Sequence, residues 1–162
     1  MTELTKEISR NADDLQLAYE LHWAKKRPIR SRVSLFIGCL CLLMGALLGI
    51  REGGVLVFLG IGNIAVYMYY YKMTGRRLAK KMSNLTQVEK TVFTDKGIHV
   101  ESVSGAGETL WAAYEDAVIS DKMILLYSNQ LTFHFFPKRV FTDDEFNVLK
   151  EMVKKNLKKV IE

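Results

Sequence analysis

Three histidines, two cysteines and a short run of carboxylates are the residues of this chain best equipped for chemistry, so their spacing comes first. His22, His99 and His134 are scattered, and none stands at ligand spacing from a cysteine or a carboxylate, whereas a metal site needs three or four such donors converging. Cys39 and Cys41 are two residues apart. On a helix that spacing turns them roughly 200° away from each other, which excludes a bridge between them. Both lie in an apolar run and read as small apolar side chains. Asp143, Asp144 and Glu145 form a carboxylate cluster, yet acids that follow Thr142 are what the positive end of a helix attracts. Gly105-Ala106-Gly107 is too short to cradle a phosphate, and neither a Walker nor a dinucleotide-binding pattern occurs. No Ser-His-Asp or Cys-His set has supporting context. These residues point to no enzyme, no cofactor, no metal and no small-molecule substrate.

Binding candidates are fewer and less specific. Trp111 either packs between a sheet and a helix or stacks on a ligand. Lys138 and Arg139 follow Pro137, which ends a strand by removing a donor. They are either solvated turn charges or the partners of a phosphate headgroup or an acidic protein. Asn63 lies within an apolar run, where an amide seeks a hydrogen-bond partner. A facing helix would supply that partner; on a sharper reading Asn63 belongs to a transport site.

The elements that must position these residues follow from where the charge is missing. Mean hydropathy is only +0.03, but the apolar residues concentrate between Val33 and Tyr71. Val33–Ile50 and Gly54–Tyr71 are each eighteen residues without a charge. At ~1.5 Å per residue, each spans roughly 27 Å, close to the hydrocarbon thickness of a bilayer. Between them Arg51-Glu52-Gly53-Gly54 reads as a tight turn, which makes the two helices antiparallel neighbours. The apolar run starts after 32 residues, with no small-residue cleavage site behind it, which argues against a cleaved signal peptide. Gly45 and Gly49 on the first helix and Gly60 on the second are small positions that let helices approach closely in lipid. They serve the hairpin's own packing or a homodimer.

Of 23 basic residues against 18 acidic ones, ten flank this block: Lys25, Lys26, Arg27, Arg30 and Arg32 before it, Lys72, Arg76, Arg77, Lys80 and Lys81 after it. No base-reading or stacking pattern is interleaved with them, so nucleic acid is not an expected partner. Basic flanks on both sides place both ends of the chain in the cytoplasm.

The remainder divides into a cytosolic N-terminal segment, residues 1–32, a basic juxtamembrane helix over 72–87, and a domain over 88–162. In the first, Leu4–Ile8 has strand character and a helix follows, capped by Asn11 or Asp13 and ended by Pro28. In the domain, period-two stretches Val88–Thr94 and Ile98–Val103 flank the turn Asp95-Lys96-Gly97. Ser104–Gly107 reads as a second turn, then come Glu108–Trp111, a helical turn over 112–116, and strands over 117–120, 122–127 and 131–136. Phe146, Leu149, Met152, Val153, Leu157 and Val160 recur at helical spacing behind the Thr142 cap. The fold class expected is a membrane α-helical hairpin plus a small α+β domain of antiparallel strands closed by a C-terminal helix.

The series Phe93-Thr94-Asp95-Lys96-Gly97-Ile98, Trp111, Ile124–Tyr127 and Phe136-Pro137-Lys138-Arg139-Val140-Phe141 resembles the YcxB-like family of bacterial membrane proteins. The resemblance covers roughly residues 12–155, with Ala112-Ala113-Tyr114 standing where larger aliphatics are usual. It implies two spans, a C-terminal domain similar to bacterial pleckstrin-homology (PH) folds, and no catalytic motif. The expected function is that of a non-enzymatic protein of the bacterial inner membrane, an adaptor or scaffold. Its partners would be membrane lipids, and either a protein or a second copy of the chain. An immunity or envelope-stress protein acting against a toxin is the alternative, and an accessory subunit of a transporter a further one.

Overall fold

The computed structural model describes residues 3–26, 28–81, 87–103 and 105–162, with the backbone alone at 28–32, 50 and 70–74. Of the expected basic flank, Arg27 lies outside the described residues, as do the side chains of Arg30, Arg32 and Lys72; so does the end of the juxtamembrane helix over 82–86.

Leu4–Ile8 forms β1, its inward residues Leu4, Lys6 and Ile8 alternating with exposed ones. Helix α1, Ala12–Leu21, opens on a capping box in which Asn11 Oδ1 accepts from Asp14 N at 2.8 Å and Asp14 Oδ2 accepts from Asn11 N at 2.9 Å. The helix does not continue regularly to Pro28. It widens into a π-helical turn over His22–Lys26, a form that is rare and concentrated at functional sites.

Helix α2, Pro28–Lys81, is a hairpin of two arms broken at Gly49, whose φ of 78° and ψ of 165° no L side chain adopts readily. The expected turn at Arg51–Gly54 is thus corrected: those residues are helical and belong to the second arm. The helix boundaries expected at 50 and 54 move with it. The arms touch through glycine. A Cβ on Gly53 would fall 2.1 Å from Gly45 O, and one on Gly60 would fall 2.9 Å from Gly38 O. Ser34 Oγ donates to Asn63 Oδ1 at 3.1 Å across the same seam. By length and composition Arg51–Tyr69, with mean hydropathy 1.4, is the one helical stretch among the described residues long and apolar enough to cross a membrane. Val33–Gly49 is apolar but shorter.

The rest of the chain builds two sheets. In the first, β1, β2 (Glu89–Phe93), β3 (Gly97–Ser102) and β4 (Gly105–Leu110) pair antiparallel in that order. Leu4 faces Phe93 and Ile8 faces Glu89, so a strand before the hairpin pairs with one after it. The expected turn Ser104–Gly107 is also corrected, since Gly105–Gly107 pair with β3. In the second sheet the order is β7 (Phe133–Pro137), β6 (Met123–Tyr127), β5 (Asp116–Ile119), β8 (Val160–Ile161). The C-terminal helix α3, Asp143–Asn156, carries its capping box at Thr142 and Glu145 but ends four residues before Val160. Val160, expected on the helix, instead lies in β8, parallel to β5.

Alternation explains the continuous apolar run Met123–Tyr127. Ile124 and Leu126 point inward to a core shared with Phe93, Ile98, Trp111 and the α3 residues Phe146, Leu149 and Val153. Met123, Leu125 and Tyr127 point the other way, to a second core formed with Leu15 and Ala18 of α1 and with Leu78 and Ala79 of the hairpin. A strand covered on both faces has no solvent side and therefore no polar alternation. Helix α1 and the second arm are so close that a Cβ on Gly75 would lie 2.4 Å from Gln16 Cα.

Candidate functional site at the hairpin–domain junction

Where the chain enters the hairpin, the π-helical turn sets His22 and Lys26 against the second sheet. His22 is buried, its Nδ1 3.0 Å from the Tyr127 hydroxyl. Its ring stacks on Phe133 at 5.6 Å and meets Trp23 edge-on at 5.5 Å. Burial, and after it the charge of Asp116, push the Tyr127 phenol far above its ordinary range. The hydroxyl therefore stays protonated and able to donate. One turn on, the Lys26 ammonium pairs with Asp116 Oδ2 and sits 4.3 Å from the centre of the Tyr127 ring. A carboxylate on one side and an aromatic face on the other hold the cation away from water. Among the described residues, the second oxygen of Asp116 is buried without a hydrogen-bond partner, as is Trp23 Nε1.

Beside this cluster opens a cleft of about 430 Å³ lined by Lys26, Glu115, Asp116, Gln130 and Lys159. A second cleft, of about 350 Å³, has Lys25, Lys150 and Lys154 in its wall together with Asp121 and Glu162, the last paired with Lys154 at 2.5 Å. The arrangement can fix the entry of the hairpin rigidly to the sheet, and both clefts mix lysines with carboxylates. Among the described residues no group of three or more His, Cys, Asp and Glu is placed to hold a metal ion.

The candidates read from the sequence are dispersed. Trp111 is buried in the inner core and donates through Nε1 to Thr94 O at 2.8 Å, so its face is not open for stacking. Arg139 forks onto Asp14, Nε to Oδ1 at 3.0 Å and Nη2 to Oδ2 at 2.5 Å, and also donates to Ser9 O. That hydrogen bonding raises the guanidinium pKa further. Lys138 pairs with Asp143 at 2.7 Å, which holds that carboxyl below its ordinary value. Lys138 thus serves the domain's own contacts, and Arg139 its join to the N-terminal segment. Gly45 and Gly60 sit on the hairpin seam with Asn63, whereas Gly49 forms the break. Of the flanking cations, Lys26 is taken up by Asp116 and Arg76 pairs with Asp13 at 3.0 Å. Arg77 lies over the Tyr69 ring at 4.3 Å, while Lys25, Lys80 and Lys81 are exposed.

Trp111, the Pro137 step and the capped α3 all lie within one stretch of the domain. Residues 93–153 match the YcxB-like protein family. The resemblance read over residues 12–155 is borne out over this narrower range. No curated protein and no solved structure matches the chain. The YcxB-like stretch holds Asp116 and Tyr127 but neither His22 nor Lys26, so the match carries one wall of the junction only. His22, Asp116 and Tyr127 escape a reading of the sequence because about ninety to a hundred positions separate the partners, as in the His22–Tyr127 contact. The one available signal is the unalternating Met123–Tyr127 run, which requires a covering element on its outer face.

Proposed function

We propose that the protein is a non-enzymatic scaffold of the bacterial cytoplasmic membrane, with both arms of α2 in the bilayer and the two-sheet domain held at its cytoplasmic face. The observation that carries this reading is the hairpin's outer surface. Its seam is filled by glycine, yet Phe58 is 79% exposed, Leu47 74% and Val55 71%, with further exposed leucines, isoleucines and valines along both arms. An apolar sheath of this length, with none of the described residues packed on it, suits lipid and is costly in water. Basic residues at both ends favour a cytoplasmic position for the termini. Two sheets closed by α3 support a PH-like reading of the domain. Such a domain would present its surface to a protein partner or to anionic lipid. The scaffold role rests on fold analogy, since no residue set supplies chemistry.

Membrane topology tests the reading. In spheroplasts, an Arg51→Cys variant lacking Cys39 and Cys41 should react with an impermeant maleimide, and a cysteine placed at the exposed Lys81 should react only after lysis. Extraction of the protein by alkaline carbonate, or labelling of both positions from one side, would reject it.

A further inference from the structure

Each of the two sheets has two edges, and an edge strand offers unpaired N–H and C=O groups to any extended chain. All but one of these edges carry a device against that. β1 turns Lys6 inward onto Glu145 at 2.7 Å. β7 ends in Pro137, which has no N–H, and its Phe135 carbonyl accepts from Arg10 Nε at 3.2 Å. β8 is two residues long. β4 has none of these. It runs for six residues, Gly105–Leu110, without proline, lysine or arginine and with no bulge in its register with β3. Thr109 is half-buried and the rest of the strand is exposed. The open groups follow from the ladder. Trp111 N donates to Lys96 O at 3.2 Å, in register with the β3–β4 pairs. Alternation then turns the backbone groups of Gly105, Gly107 and Thr109 toward β3, and those of Ala106 and Glu108 outward. Among the described residues, none bonds to these outward N–H and C=O groups. At the two ends of the strand apolar side chains stand in solvent: Val103, at the β3–β4 turn, is 91% exposed and Leu110 54%.

We infer that β4 is a dimerisation edge, which pairs antiparallel with β4 of a second copy about a two-fold axis at Gly107. In that register Ala106 of each copy exchanges both backbone hydrogen bonds with Glu108 of the other. Each carboxylate then faces a methyl group. Moving the axis to Glu108 would satisfy the backbone equally but set two carboxylates directly opposite each other, which destabilises a strand pair. At the axis Ala106 and Gly107 carry nothing bulky to hold the strands apart. The same operation brings Val103 of each copy to the end of the strand where Leu110 of the other is exposed. The occupant is a second copy because one symmetry operation satisfies the open backbone, separates the acids and covers the exposed apolar residues at both ends. The pairing goes beyond the scaffold reading and stands on the sheet alone, wherever α2 lies.

Cysteine cross-linking of the full chain in freshly broken cells tests it, with Cys39 and Cys41 replaced by alanine. In the pairing the two Gly107 residues are non-hydrogen-bonded neighbours, with Cα atoms about 4.5 Å apart and within disulfide range. A Cβ on Gly107 meets nothing within 4 Å in its own chain. Under mild oxidation Gly107→Cys should therefore give a disulfide-linked dimer. Val103→Cys, also exposed but far from the axis, should not. Added to Gly107→Cys, Ala106→Glu sets carboxylates face to face on both sides of the axis and should lower the dimer yield roughly tenfold. Adding Glu108→Lys to that chain should restore the yield, which a merely misfolded variant would not do. No dimer at 107, equal dimer at 103 and 107, or a loss that Glu108→Lys leaves in place overturns the inference. So does a cross-link from 107 to a different protein, which would make that protein's strand the occupant.

Discussion

The hairpin and its attachment to the domain are held by opposite means. Within α2 the arms meet backbone to backbone at Gly45–Gly53 and Gly38–Gly60, with one side-chain hydrogen bond, Ser34 to Asn63, among the contacts of the described residues. The segment that precedes the hairpin has its β1–β2 ladder and the buried Ile8, Leu15 and Ala18, and it is fastened further by charge. Lys6 pairs with Glu145, Arg10 with Glu89, Asp14 with Arg139 and Lys26 with Asp116, each joining the first 26 residues to the domain that follows the hairpin. Close packing of small residues needs no solvent and no counterion. Ion pairs are directional and select one docking of β1 and α1, but they respond to salt and pH, the exposed ones most. The molecule thus combines a seam governed by shape with a join governed by charge.

The join should break hardest at its most buried pair. Lys26→Met leaves Asp116 buried without a counterion and should cost about 4 kcal/mol in urea unfolding followed by tryptophan fluorescence, while Lys26→Met with Asp116→Leu should recover most of it. A double variant as unstable as the single one would show that shape, not charge, dominates there. The seam should break next. Gly53→Leu drives a side chain into Gly45 and should lower stability by about 3 kcal/mol, near the top of the usual overpacking range. Gly54→Leu, whose Cβ meets nothing within 4 Å, should melt like the parent in detergent. Neither value should change with added salt. Equal loss at the two glycines would remove the close-approach argument.

Smaller effects sharpen the contrast. Asp14→Ala removes a capping partner and the Arg139 fork together, at a cost of about 1 to 2 kcal/mol, part of which should vanish in high salt. The smallest effect belongs to pH. Glu145 is held below its ordinary value of 4.5, first by the Lys6 ammonium and then by the Thr142 backbone N–H. A carboxyl depressed in the folded state stabilises above its unfolded value, and that contribution is lost as pH falls through the folded one. Protection of β1 amides from hydrogen exchange should therefore decline as the pH is lowered past 4.5, and Glu145→Gln should abolish the pH-dependent step without moving the seam. Unaltered protection of the parent in acid would mean that β1 is held by its ladder with β2 alone.

Local chemistry is what the sequence makes legible. Two charge-free runs, the Asn11 and Thr142 caps and the alternating strands are written in adjacent residues, and each is found close to its expected place. Glycine is where reading by neighbours misleads. Arg51-Glu52-Gly53-Gly54 has the composition of a turn, but Gly53 serves close approach and Gly49 supplies the positive φ. A packing glycine and a turning glycine look alike in one dimension. The same holds for Val160, apolar at helical spacing yet drawn into β8 by an open edge of β5. Lys138 and Arg139 look free beside Pro137 because their acids, Asp143 and Asp14, come from other elements. The β1–β2 pairing and the docking of α1 have no local signature, since the hairpin intervenes.

That pairing also sets a schedule. During synthesis, Leu4–Ile8 leaves the ribosome about eighty residues ahead of the strand it joins. Until the hairpin has turned back, α1 has no sheet to cover and β1 no ladder to enter. A chain whose hairpin fails to close keeps its two halves apart, with an unpaired strand and a bare apolar helix face for chaperones and proteases to find. The sheet that spans the hairpin is thereby a receipt, issued only to molecules whose two arms have closed on each other.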